Sequence, residues 1–271
     1  MTLIGIVNSL GWVVLAMGVL LAVPGQPAAG EVREREGYAY SLDSGELLYR
    51  ELHRTRLEGG EPATEQVTYR EPGGRVMAVK TIDYGERPMA PDFRLIMEDI
   101  GYQEGMRSLD GGREVFYEPV GGEGVRRAAM DAEGLVADAG FDRLIERRLE
   151  ALRSGEGLTF DFLVPSRLEA YAFQAEPAGE AEVFGQPAIR VRLEPANFFF
   201  RWLAGGMEVF YHREDGRLLR YRGLSNLRDA SGNNFQVQVD FPPEGVTPLK
   251  RLEALEDEDD PQGSEGPGRV R

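Results

Sequence analysis

The chain has 271 residues, 42% of them hydrophobic and 28% charged, a globular composition with enough apolar material for a core. Its net charge of −15 disfavours a nucleic acid or an anionic membrane surface as partner, because both need a basic stripe. With no cysteine there is no disulfide framework, no thiol ligand and no residue to carry a lipid, so the core alone must hold the fold.

The amino terminus stands apart. LGWVVLAMGVLLAV (Leu10–Val23) carries no charge. Its length suits the apolar core of a signal peptide and is short for a bilayer. Ala28 and Gly30 follow, small and two apart, as signal peptidase requires. Residues 1–30 are therefore expected to be a signal peptide cleaved after Gly30, giving a periplasmic protein. No Lys or Arg precedes the apolar run. The alternative is an uncleaved anchor from Leu3 to Val23 in the inner membrane.

Residues 31–250 predict a single domain that is mainly β (α+β), one curved antiparallel sheet built from hairpins. YAYSLDSGELLYRELHRTRL (Tyr38–Leu57) predicts the first hairpin, with Ser44-Gly45 as a two-residue turn that sets Tyr40 opposite Tyr49. Pro72-Gly73-Gly74 turns a second, between Thr68-Tyr69 and Val76–Val79. FRLIMEDI, EVFYEPV and VRRAAMDA predict further strands. In GFDRLIERRLEALRSG, Phe141, Leu144, Ile145, Leu149 and Leu152 fall on one helical face, with Gly155 as the stop. LTFDFLV, RLEAYAFQAEP and QPAIRVRLEP return to strand, and NFQVQVDF closes the sheet. From about residue 251 the chain is acidic and rich in proline and glycine, and predicts a disordered tail.

Chemistry-bearing motifs are sparse. Gly223-Leu-Ser225-Asn-Leu227 begins like a nucleophile elbow, but Leu227 stands where that elbow needs glycine. A relay would also need His212 within reach of Ser225. The hairpin reading of VFYHREDGRLLRYRG explains more: Asp215-Gly216 as a two-residue turn pairs His212 with Leu219 and Phe210 with Tyr221. The only histidines are His53 and His212, and neither sits in a metal-ligand spacing, so no metal is expected. No glycine-rich phosphate loop occurs, so no cofactor is expected. A carboxylate pair suited to hydrolysis is not singled out among 46 acids.

What remains is apolar. In NFFFRWL, Phe198, Phe199 and Phe200 cannot all face inward from a helix, because neighbours sit about 100° apart. At least one must cover a second surface. Phe198, Phe199, Phe200, Trp202 and Leu203 are the expected wall or lid of a ligand groove, with Phe141, Leu144 and Ile145 facing the same cavity.

The signal-like start and the meandering hairpins DSGELLYRE, EPGGRVMAV and EDGRLLRYRG resemble, over about residues 37–243, the periplasmic LolA/LolB-like superfamily. The resemblance implies an open, strongly curved half-barrel with helices on its concave face and an apolar cavity for acyl chains. This chain departs from that family in its length, its acidity and its tail, and no family-specific functional residue maps onto it. Two roles are expected: binding a lipid or other apolar ligand, or contacting an envelope protein partner.

Overall fold

The computed structural model describes residues 30–131, 133–196 and 206–252. The first eight strands form a continuous meander: β1 (Val32–Ser41), β2 (Leu47–Glu58), β3 (Glu61–Arg70), β4 (Val76–Asp83), β5 (Asp92–Met97), β6 (Tyr102–Leu109), β7 (Gly112–Glu118) and β8 (Arg126–Met130). A two-residue strand β9 (Leu135–Val136) leads into the helix α1 (Gly140–Arg153). A second meander follows: β10 (Leu158–Val164), β11 (Glu169–Val183), β12 (Gln186–Pro195), β13 (Met207–His212), β14 (Leu218–Arg228) and β15 (Asn234–Asp240). β15 pairs with β1, joining both meanders into one sheet of 15 strands ordered β8 to β1, then β15 to β9. All pairings are antiparallel except β9 with β10. The sheet is open and curved, as the hairpin pattern predicts.

The two edge strands, β8 and β9, are consecutive in sequence and do not pair with each other. Side chains seal the seam instead: Met106 and Val115 from one meander pack in one cluster with Leu135 and Leu163 from the other. A second cluster sets Ile145 and Leu152 of α1 against Phe160, Phe173, Val191 and Tyr211, so the helix lies on the concave face. A third joins Tyr49, Tyr69 and Leu95 to Val237 and Val239 across the β1–β15 junction. Leu95 and Met106 have no exposed surface, and burying such a side chain contributes about 1.5–3 kcal/mol.

α1 forms where the heptad-like spacing of Phe141, Ile145, Leu149 and Leu152 predicts it. It ends at Ser154, whose N–H donates to the Glu150 carbonyl, and Gly155, left-handed at φ 91°, donates its N–H to the Leu152 carbonyl. Its first residue must be glycine for a steric reason. A Cβ on Gly140 would lie 2.0 Å from the Met89 carbonyl oxygen in the β4–β5 connection.

Two hairpin registers differ from expectation. The β1–β2 connection is a four-residue turn, Leu42–Gly45, closed by Gly45 N–H to Ser41 O at 2.8 Å. A bulge follows, so Tyr49 opposes Ala39 and Tyr40 opposes Leu47. The β13–β14 turn likewise spans Arg213–Gly216, and Tyr221 opposes Val209 rather than Phe210. A one-residue slip exchanges the faces. Val209, Tyr211 and Tyr221 therefore point at the concave side, while Phe210 and Leu219 join Val183 and Ala188 on the other. The segment from Ser225 to Arg228 continues β14, and the turn comes at Asp229–Asn233.

Residues through Leu252 are tied to the sheet. Tyr40 OH donates to Leu249 O at 2.7 Å, and Leu252 N–H donates to Gly45 O at 2.8 Å.

Candidate functional site

The concave face encloses a cavity of about 500 Å³, within the roughly 300–1,000 Å³ of small-molecule sites. One wall is aromatic. Phe141 of α1 lies 5.5 Å from Phe160, centroid to centroid, and Phe162 and Phe173 complete the cluster. Strand alternation places Phe160 and Phe162 on one side of β10, and Phe173 is the register partner of Phe160 on β11.

The opposite wall is ionisable, and the sequence reading did not anticipate it. Arg35, His53, Val67, Lys80, Leu95 and Glu104 are successive register partners across β1–β6. Four ionisable residues thus share a single inward-facing row with Val67 and Leu95. His53 sits between two carboxylates: Nδ1 is 2.6 Å from Glu65 and Nε2 is 3.0 Å from Glu51. Burial opposes protonation of this ring, but the hydrogen bonds to Glu51 and Glu65 outweigh it and raise its pKa. Burial pushes Glu65 up, yet His53 and the Tyr84 hydroxyl, which donates at 2.8 Å, hold its carboxyl down at about 2. With both ring nitrogens engaged, His53 has no lone pair free for other chemistry.

Lys80 meets both oxygens of Asp138 at 3.0 Å, and both side chains are nearly buried. Asp138 holds φ at 44°, left-handed for a non-glycine residue, where the chain enters α1. The ion pair therefore ties the helix N-terminus to β4. Asp142, in the first turn of α1, accepts from the Tyr211 hydroxyl at 2.7 Å. Glu104 is buried, with Tyr102 donating at 2.6 Å; burial raises its pKa to about 7. Arg228 stacks over the Tyr102 ring, with its guanidinium carbon 4.9 Å from the ring centre.

Of the residues expected to form the groove, Phe141 lines the cavity, and Leu144 and Ile145 pack against the same β10–β13 cluster. Phe198, Phe199, Phe200, Trp202 and Leu203 lie outside the described residues. Ser225 and His212 do not pair with each other. The Ser225 hydroxyl bonds Tyr49 OH at 2.8 Å, and His212 bonds Asp215 at 2.9 Å.

The ionisable row had a signal in the sequence. Glu51 and His53 share the parity of Tyr49 on β2, Lys80 that of Ala78 and Ile82 on β4, and Glu104 that of Tyr102 and Met106 on β6. A charge at an apolar-parity position is either an error of register or a buried polar site.

A larger hollow, about 900 Å³, lies on the opposite face of β2–β8. Its arginines are engaged by neighbours: Arg54 by Glu34, Arg94 by Gln103 and Arg107 by Glu114. It has no counterpart to the aromatic wall, and the concave cavity is the better candidate site.

No family model and no curated protein matches the chain. Among solved structures it is similar to a beta-barrel-like protein of domain of unknown function DUF1849 from Brucella abortus. That match has a TM-score of 0.44 and 11% identity, and covers 79% of this chain and 98% of the other.

Proposed function

We propose that the chain is an exported envelope protein that acts by binding, and that a lipid or other apolar ligand occupies the concave cavity. The observation that carries this reading is a cavity of about 500 Å³ with an aromatic wall, held open inside an unclosed sheet. Its volume suits one chain of a small amphiphile rather than a two-chain lipid. Burial of such a chain against Phe141, Phe160, Phe162 and Phe173 gains about 25 cal/mol for each Å² of apolar surface removed from water. The signal-like segment before Glu31 supports export. No described helix is long and apolar enough to cross a membrane.

Native mass spectrometry of the protein purified from cells tests the reading, together with titration of an apolar fluorescent probe. The expected result is a co-purifying small amphiphile or saturable probe binding that Phe162→Arg weakens at least about tenfold. Absence of both a bound molecule and saturable probe binding would sink it. Cell fractionation tests export: recovery in the soluble cytoplasm would overturn that part.

A further inference from the structure

We infer that the cavity selects a single-chain amphiphile with an uncharged, hydroxyl-bearing head, and that Arg35 contacts this head. The inference rests on the proposed binding role and narrows its ligand.

The first observation is charge balance. His53 and Arg35 are register partners on β2 and β1, and the two carboxylates nearest them, Glu51 and Glu65, both bond the His53 ring. That local set carries two charges of each sign once the imidazole is protonated. Lys80 is matched by Asp138. Arg228 and Asp142 add one charge of each sign, and Glu104, the remaining acid of the lining, is held by burial at a pKa of about 7 and is neutral below it. A head bringing a net charge into this space finds no group left to neutralise it, and an uncompensated charge in a desolvated site is costly. A neutral head incurs no such cost.

The second observation is unused hydrogen-bonding capacity. Arg35 lies over the ring of Phe241, 4.3 Å from its centroid, while His53 approaches the same ring edge-on at 5.6 Å. Among the described residues, no carboxylate or other acceptor lies within bonding distance of the Arg35 guanidinium, whose five N–H donors need partners. The carboxylates of the lining offer the reverse. Asp142 accepts from Tyr211 through Oδ1 alone, and Glu51 accepts from His53 through Oε2 alone. A hydroxyl both donates and accepts, so a polyol head satisfies both sides at once. The stacked Arg35–Phe241 pair stands where the ionisable row meets the apolar side chains of β15, which suits the junction of head and chain.

Isothermal titration with monolaurin, laurate and dodecylamine, each below its micelle threshold, separates head charge from chain length. At about pH 5.5, below its raised pKa of about 7, Glu104 is mainly protonated and adds little charge. The expected result is monolaurin binding at least about tenfold tighter than either ion. Arg35→Met leaves the lining one charge negative: monolaurin should weaken about tenfold and dodecylamine should overtake laurate. Glu51→Gln leaves it one charge positive and should put laurate ahead of dodecylamine. This second variant keeps the side-chain shape and carries the test if Arg35→Met does not fold. A wild-type protein that binds either ion as tightly as monolaurin overturns the inference, as does an unchanged order of ligands in the folded variants. If none of the three binds and the apolar probe fails as well, the binding role itself is wrong. If the probe binds and none of the three does, only the head-group inference falls.

Discussion

Replacing Glu104 by glutamine should flatten the dependence of stability on pH between about 5 and 8. Glu104 is 5% exposed, and burial is the main reason its pKa rises from 4.5 to about 7. Across that interval the unfolded chain has released this proton and the folded chain still holds it. Folding therefore takes up a proton, and stability falls as pH rises. A difference of about 2.5 pKa units, at about 1.36 kcal/mol each, amounts to about 3 kcal/mol lost by pH 8. Glutamine preserves the shape and still accepts the hydrogen bond that Tyr102 donates at 2.6 Å, but cannot ionise. Glu104→Gln should match the wild type at pH 5 and exceed it by up to about 3 kcal/mol at pH 8. Urea unfolding at pH 5, 6, 7 and 8 reads the difference directly. Glu146, which burial raises to about 7, also titrates there, but it is present in both proteins and cancels in the comparison. Parallel curves for the two proteins would refute the assignment of this buried charge.

Two further substitutions test the frame around the site. Lys80→Met leaves the nearly buried Asp138 carboxyl without its partner, and should cost about 3–5 kcal/mol by denaturant unfolding. Adding Asp138→Asn should recover part of the loss, and a double variant no better than the single would contradict the pairing. Gly105→Ala places a Cβ 2.2 Å from the Phe93 carbonyl oxygen and 2.5 Å from the Phe116 ring. A cost of about 1–3 kcal/mol or more is expected, since the carbonyl belongs to the adjacent strand and cannot swing aside. A neutral result would show that β5 and β6 do not approach as closely as described.

Much of the architecture was legible in local pattern. Phe141, Ile145, Leu149 and Leu152 announce α1, and Pro72-Gly73-Gly74 marks the β3–β4 turn, where Arg70 opposes Val76. The β6 strand YQEGMRSL shows no clear alternation in the sequence, because Glu104 and Gly105 interrupt its apolar positions. Both interruptions have tertiary causes. Glu104 belongs to the ionisable row, and Gly105 makes room for the Phe116 ring. The candidate site was legible only on its aromatic side, through Phe141. Its polar side consists of charged residues on several strands whose sequence signal is only that they fall at apolar-parity positions, and the register is what aligns them into one row.

The sequence by itself determined that alternating segments would pair as hairpins into one sheet, and where its one described α-helix would lie. Those outcomes depend on side-chain periodicity and turn residues a few positions apart. Only the tertiary structure decided which face of each hairpin looks inward. A four-residue turn followed by a bulge between Phe210 and Tyr211, in place of a plain two-residue turn, slips the register by one residue and leaves Tyr211 facing the cavity and Phe210 facing away from it. The pairing of β15 with β1, and with it the assembly of Arg35, His53, Lys80, Asp138 and Glu104 around one space, depends on contacts between segments far apart in the chain. Such contacts are set by the summed burial of the whole sheet, and no local stretch of sequence encodes them.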